Sequence, residues 1–214
     1  MTLLPLLILA LAASLAAAES LDVSTEAYRE AAARGEVGAL SGRAMIENPR
    51  PGADPRPATE VGVTLVPRSE RLLDQLRSIR ERARRELDVY RDSALVVAEA
   101  RQALERALWR AGAAELVRFT AVDPDGRFAF EALPAGNWLL IAQRAVFVPK
   151  GSPAVSKRDR ETFASRPRFT GYYAVTIWVR ELTVAPGQWT ELELTDRNVW
   201  MTALAEERAK NAGR

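Results

Sequence analysis

Between Arg68 and Ala111 the chain runs for 44 residues without a glycine or a proline, and the segments on either side are short, alternating and rich in both. Its composition is Arg, Glu, Ala and Leu, and apolar Leu72, Leu76, Ile79, Ala83 and Leu87, then Ala94, Val97, Leu104 and Leu108, recur every three or four residues. That spacing makes one apolar stripe on a helix. A single straight helix of this length would run about 66 Å and strand its far end away from the segment that follows. The stretch is therefore expected to fold back as a helical hairpin over 68–112. Its turn is expected near Asp88–Ser93, where Asp88, Asp92 and Ser93 cluster, and Gly112 ends it.

Around this insert the pattern has the period of two that half-buried strands require. Residues 38–47 and 59–67 read as two strands, with Val61, Val63 and Leu65 alternating, and Pro-rich 48–57 joins them as a loop. After the insert come Glu115–Val122, a turn at Asp123-Pro-Asp-Gly126, Arg127–Ala132, a turn at Leu133-Pro-Ala-Gly136, Asn137–Val148, a polar loop over 149–168, Phe169–Val184, and Trp189–Thr195. Turns of this kind between alternating segments signal hairpins. An Ala-rich helix over Thr25–Arg34 forms a lead-in within 19–37, and the tail 196–214 reads as partly helical over Leu204–Lys210.

Residues Leu3–Ala18 are apolar apart from Ser14 and end Ala16-Ala-Ala18 before Glu19, the small-residue pattern of a signal peptidase site. This run is about 16 residues, short of the roughly 20 that a helix needs to cross a bilayer. Residues 1–18 are thus expected to be a cleaved signal peptide, leaving a secreted or periplasmic protein that no longer spans a membrane.

Among 214 residues there is no His and no Cys. That removes Ser-His-Asp and Cys-His nucleophiles, a His base near neutral pH, the usual zinc ligands, and disulfides. The 30 basic residues, 27 of them Arg, face 28 acidic ones, too even a balance for a dedicated nucleic-acid binder. No cofactor is indicated, and a non-enzymatic role follows as the expectation.

The stretch from Thr120-Ala-Val-Asp123 through Gly126, Phe128, Phe130, Leu133-Pro134 and Gly136 to Trp138-Leu-Leu140 resembles carboxypeptidase regulatory-like domains, which are transthyretin-like β-sandwiches. Gly42, Val61, Val63 and Leu65, and later Val184-Ala-Pro-Gly187 with Leu192 and Leu194, match that family's first two strands and its last. The resemblance spans 38–67 and 115–195. It implies a mainly β, prealbumin-like sandwich of about seven strands over 38–195, with the helical hairpin inserted between the second and third. It also implies a non-catalytic accessory role, although fold alone does not fix activity.

Two surfaces are candidates. In Phe169–Val184, alternation places Phe169, Tyr173, Val175, Ile177 and Val179 on the core side, and Tyr172, Thr176, Trp178 and Arg180 on the opposite face. An exposed Tyr and Trp beside a hydroxyl and a guanidinium can stack on a sugar or anchor a protein, unless the hairpin covers them. Loop 149–168 carries Lys150, Lys157, Arg158, Arg160, Arg166 and Arg168 against Asp159 and Glu161, a balance of 6 − 2 = +4, suited to an anionic polymer or phosphate headgroups. Asp123 and Asp125 form a β-turn rather than a Ca²⁺ loop, because six or more oxygens would be needed. Apolar Leu139, Ile141 and Phe147 demand a cover, and the hairpin's stripe can supply it. The expected partner is an envelope protein, bound by an interaction or scaffolding module, or alternatively a glycan.

Overall fold

The computed structural model describes residues 21–48, 50, 52–150 and 168–209, with the side chains of 168–170 and 207–209 left aside. In chain order the elements are α1 (Thr25–Ala33), β1 (Val37–Ile46), β2 (Arg56–Pro57), β3 (Val61–Pro67), α2 (Glu70–Arg85), α3 (Leu87–Arg110), β4 (Arg118–Ala121), β5 (Arg127–Pro134), β6 (Gly136–Pro149), β7 (Arg168–Val184), β8 (Trp189–Leu194) and β9 (Met201–Ala209). The expected signal segment, 1–18, lies outside the described residues.

Two sheets face one another. One places β1 between antiparallel β5 and parallel β8, with β2 on the end of β1; the other runs β4-β3-β6-β7-β9. Register fixes the faces, because directly opposed residues point the same way. Leu65 opposes Leu140 and Val63 opposes Ala142, which in turn opposes Trp178. These side chains, together with Trp138, turn toward the first sheet and are fully buried, as are Leu40 and Leu194 there. Gly42 is required on this inner face: a Cβ would lie 2.4 Å from Phe128 Cζ and 2.5 Å from the Leu192 carbonyl oxygen.

The other face of the five-stranded sheet, with Thr64, Val66, Leu139, Ile141, Ile177 and Val179, is buried under the helices. Arg101 of α3 donates to Thr64 Oγ1 at 3.4 Å and holds an ion pair with Glu105, which places α3 on that face. Leu72, Leu76 and Ile79 of α2 and Val97, Leu104 and Leu108 of α3 are buried, so the apolar stripe covers the sheet as the period implied. The molecule is a three-layer stack of helices, sheet and sheet.

Several expectations are corrected. Nine strand segments are present among the described residues, because Arg56–Pro57 pairs with Met45 and Ile46 and the tail adds β9. The helices accordingly follow the third segment. The break between them is the single extended residue Glu86 (φ −128°, ψ 116°), ahead of Asp88–Ser93, which is helical. Local propensity misreads the tail: Leu204–Ala209 is strand, since pairing with β7 places Met201 and Ala203 in the core and tertiary burial overrides helix preference. The turns at 123–126 and 133–136 are not hairpins. Each carries the chain from one sheet to the other, since β4 and β6 belong to the five-stranded sheet and β5 to the first.

Candidate functional site

The face assignment of β7 is also corrected. Trp178 is 1% exposed, and its indole N–H donates to the Thr195 carbonyl at 2.9 Å, at the end of β8 in the opposing sheet. Arg180 on the same face donates to the Asn198 carbonyl at 2.8 Å. Trp178, with Thr176 and Arg180 beside it, is thus the sandwich interior and no ligand platform. The reason is in the pairing: Ala142 opposes Trp178 and Leu140 opposes Arg180, so β7 shares the inner face of β6. Tyr172 lies further along the strand, half-buried, with Lys150 Nζ 5.3 Å above its ring. Of the basic loop, Lys150 is exposed and Arg168 opens β7; Lys157, Arg158, Arg160 and Arg166 lie outside the described residues.

An exposed aromatic strand face does exist, on the other sheet. In Trp189-Thr-Glu-Leu-Glu-Leu194, Leu194 is buried and Leu192 packs against the core, so alternation turns Trp189, Glu191 and Glu193 outward. Trp189 is 58% exposed. Its indole N–H donates to Ser41 Oγ at 2.7 Å, which fixes the ring on β1. Ala39 opposes Trp189, Ser41 opposes both Glu191 and Ala129, and Arg43 opposes both Glu193 and Arg127. The row at Ser41 is therefore small on β1 and β5 with Glu191 beside it on β8, and the row at Arg43 carries three long polar side chains.

Next to Ser41, the residue that holds the indole, an open cleft of about 780 Å³ is lined by Ser41, Arg43, Arg127, Ala129, Glu191 and Glu193 and edged by Thr120 and Asp123; Trp189 itself is not part of its lining. The Asp123 carboxylate is occupied as a turn cap, accepting from the N–H groups of Asp125 at 2.9 Å and Arg127 at 2.8 Å. In contrast, the side chains of Arg43, Glu191 and Glu193 make no hydrogen bond or ion pair with the described residues. The cleft presents free donors on Arg43 and free acceptors on the two glutamates, and Ser41 connects it to the anchored indole on the same sheet face. Such a bed can stack a ring and hydrogen-bond its hydroxyl groups. Among the described residues no group of three acidic side chains is placed to hold a metal ion, and no helix is long and apolar enough to cross a membrane.

No family model matches the chain, and no curated protein matches it in sequence. Among the solved structures similar to the chain are two of different kinds. A Pseudomonas aeruginosa protein provisionally described as carbohydrate binding is 16% identical, with a TM-score of 0.39, covering 75% of this chain and 88% of that one. The pilus backbone of Streptococcus pneumoniae is 11% identical, with a TM-score of 0.24, covering 74% of this chain and 41% of that one. At these identities neither speaks to function.

Proposed function

We propose that the protein is a non-catalytic glycan-binding module of the cell envelope, exported with loss of residues 1–18 and related to the carboxypeptidase regulatory-like sandwiches through the residue 120–140 motif. The single observation that carries the reading is Trp189: an aromatic ring more than half exposed, held on a rigid strand by Ser41, which also lines a cleft where Arg43, Glu191 and Glu193 are uncommitted. Stacking of a sugar on the indole and hydrogen bonds to Glu191, Glu193 and Arg43 supply orientation and specificity.

The test is affinity electrophoresis through gels cast with neutral and charged polysaccharides. Wild-type protein is retarded by at least one of them. Trp189→Ala migrates freely while its unfolding free energy stays within about 0.5 kcal/mol, as expected of a surface substitution. Equal retardation of the variant overturns the assignment.

One observation favours a second reading, a protein-interaction or scaffolding module. Leu87, Leu95 and Trp109 on α3 are 64%, 51% and 75% exposed, large apolar side chains on the solvent side of the helical layer. If this surface is the functional one, Leu95→Glu with Trp109→Ala removes capture of an envelope protein, and Trp189→Ala leaves that capture intact.

A further inference from the structure

Strands β6 and β7 outrun their neighbour. They remain paired out to Pro149 and Gly171, whereas the pairing of β6 with β3 ends at Arg144. Over residues 145–149 the ribbon therefore has no β3 beside it, and its side chains there are apolar on both faces. Phe147 opposes Tyr173 on one face, their ring centroids 5.2 Å apart. Val146 lies on the other, as does Tyr172, which opposes Val148. Phe147 is 40% exposed, and Tyr173 and Val146 are 37% exposed. The Phe147 ring is seated over Gly171, where a Cβ would come within 2.6 Å of Cζ. Cationic residues stand at this end. Lys150 is exposed with its ammonium over Tyr172, and Arg168 and Arg208 lie in the adjoining β7–β9 pairing. Of the acids there, Glu206 and Glu207 on β9, Glu206 has its carboxylate 3.6 Å from Arg91 Nε.

We propose that this end of the β6–β7 ribbon docks peripherally on a bilayer surface containing anionic phospholipid. Phe147, Tyr173 and Val146 enter the interfacial layer, and Lys150 stays at the level of the phosphates. Aromatic rings with one polar end, and lysines with an apolar stem, both gain from that boundary. A few buried side chains together with attraction to anionic headgroups make a reversible attachment. A soluble polyanion would satisfy the charge and leave the exposed apolar side chains in water, which is why the bilayer is the favoured occupant. The site is separate from the Trp189 cleft and does not depend on it.

The experiment is cosedimentation of the exported chain, its N-terminus read by mass spectrometry, with vesicles of phosphatidylglycerol in phosphatidylcholine and with vesicles of phosphatidylcholine alone. Binding to the phosphatidylglycerol vesicles is expected, weakened by salt as surface electrostatics are. Phe147→Ser with Tyr173→Ser should lower partitioning about tenfold, with the circular dichroism spectrum retained. Lys150→Glu, a surface change that leaves the fold intact, should lower it as well. Trp189→Ala should bind vesicles like the wild type, so failure of the glycan reading leaves this result untouched. Absence of binding to phosphatidylglycerol vesicles overturns the proposal, as does equal binding by the Phe147/Tyr173 variant. Retention on heparin-agarose without vesicle binding also overturns it and assigns the basic residues of this end to a soluble polyanion.

Discussion

Replacing Trp178 by alanine removes one of the largest side chains buried between the two sheets, and the expected cost follows from its surroundings. The indole is 1% exposed and its N–H is bonded to the Thr195 carbonyl. Large aromatic truncations in cores cost about 3 to 5 kcal/mol through lost transfer energy and the cavity left behind. Loss of the hydrogen bond, leaving a carbonyl without its donor, belongs at the upper end of that range because it adds about 1 kcal/mol. A domain of ordinary stability, roughly 5 to 15 kcal/mol, would lose a large fraction of its margin. Urea unfolding followed by circular dichroism measures the loss, and the slope with denaturant should be unchanged so that the midpoint shift reports stability. Trp178→Phe, which keeps most of the volume, should cost clearly less. A loss below about 1 kcal/mol for the alanine variant would refute the interior placement and return Trp178 to the surface as a possible platform.

Replacing residues 70–110 by a short Gly/Ser linker should produce an aggregating chain without a cooperative transition, because it bares Val66, Leu139, Ile141, Ile177 and Val179; a soluble product that melts cooperatively in calorimetry would contradict the helical layer's role as core cover. The third expectation concerns pH. Burial pushes the Asp22 carboxyl up, but hydrogen bonds from the Arg71 N–H and the Ser69 hydroxyl, with Arg71's charge, outweigh it and hold its pKa below the ordinary 3.8. Its folded value being the lower one, Asp22 stabilises the fold above its unfolded pKa, and that contribution fades as pH falls through the folded value. Asp22→Asn should therefore flatten the acid limb of the stability curve measured by urea unfolding at stepped pH, and an unchanged acid limb would show that the Asp22 cap of α2 contributes nothing.

The strands and the helical insert were legible because each carries one clear period: Val61, Val63 and Leu65 alternate, and Leu72, Leu76 and Ile79 recur at helical spacing. What alternation alone could not supply was which face of β7 is inner. That strand is buried on both sides, by the opposing sheet and by the helices, so its apolar content does not discriminate. The decisive fact is its register on β6, a long-range pairing of Trp178 with Ala142. The tail failed for a related reason. Leu204–Ala209 has helix-forming residues, and only the free edge of β7, distant in sequence, makes it a strand. The exposure of the platform residue is legible in the sequence. Leu192 and Leu194 alternate with glutamates, and Trp189 falls in phase with the glutamates, so its exposure follows from one strand's own pattern. Its anchor did not follow, because Ser41 lies 148 residues away.

The central claim is that the exposed indole of Trp189 is the contact with sugar, and side-chain oxidation footprinting tests it residue by residue. The protein is treated with a limiting tryptophan oxidant, with and without a polysaccharide that retards it in the affinity gel, and each tryptophan is read by mass spectrometry. Without polysaccharide, Trp189 and Trp109 should be oxidised readily, being 58% and 75% exposed, and Trp138 and Trp178, at 0% and 1%, should resist. With polysaccharide, Trp189 alone should become protected while Trp109 reacts as before. Protection of Trp109 with Trp189 still fully reactive would contradict the account and move the binding surface to the helical layer.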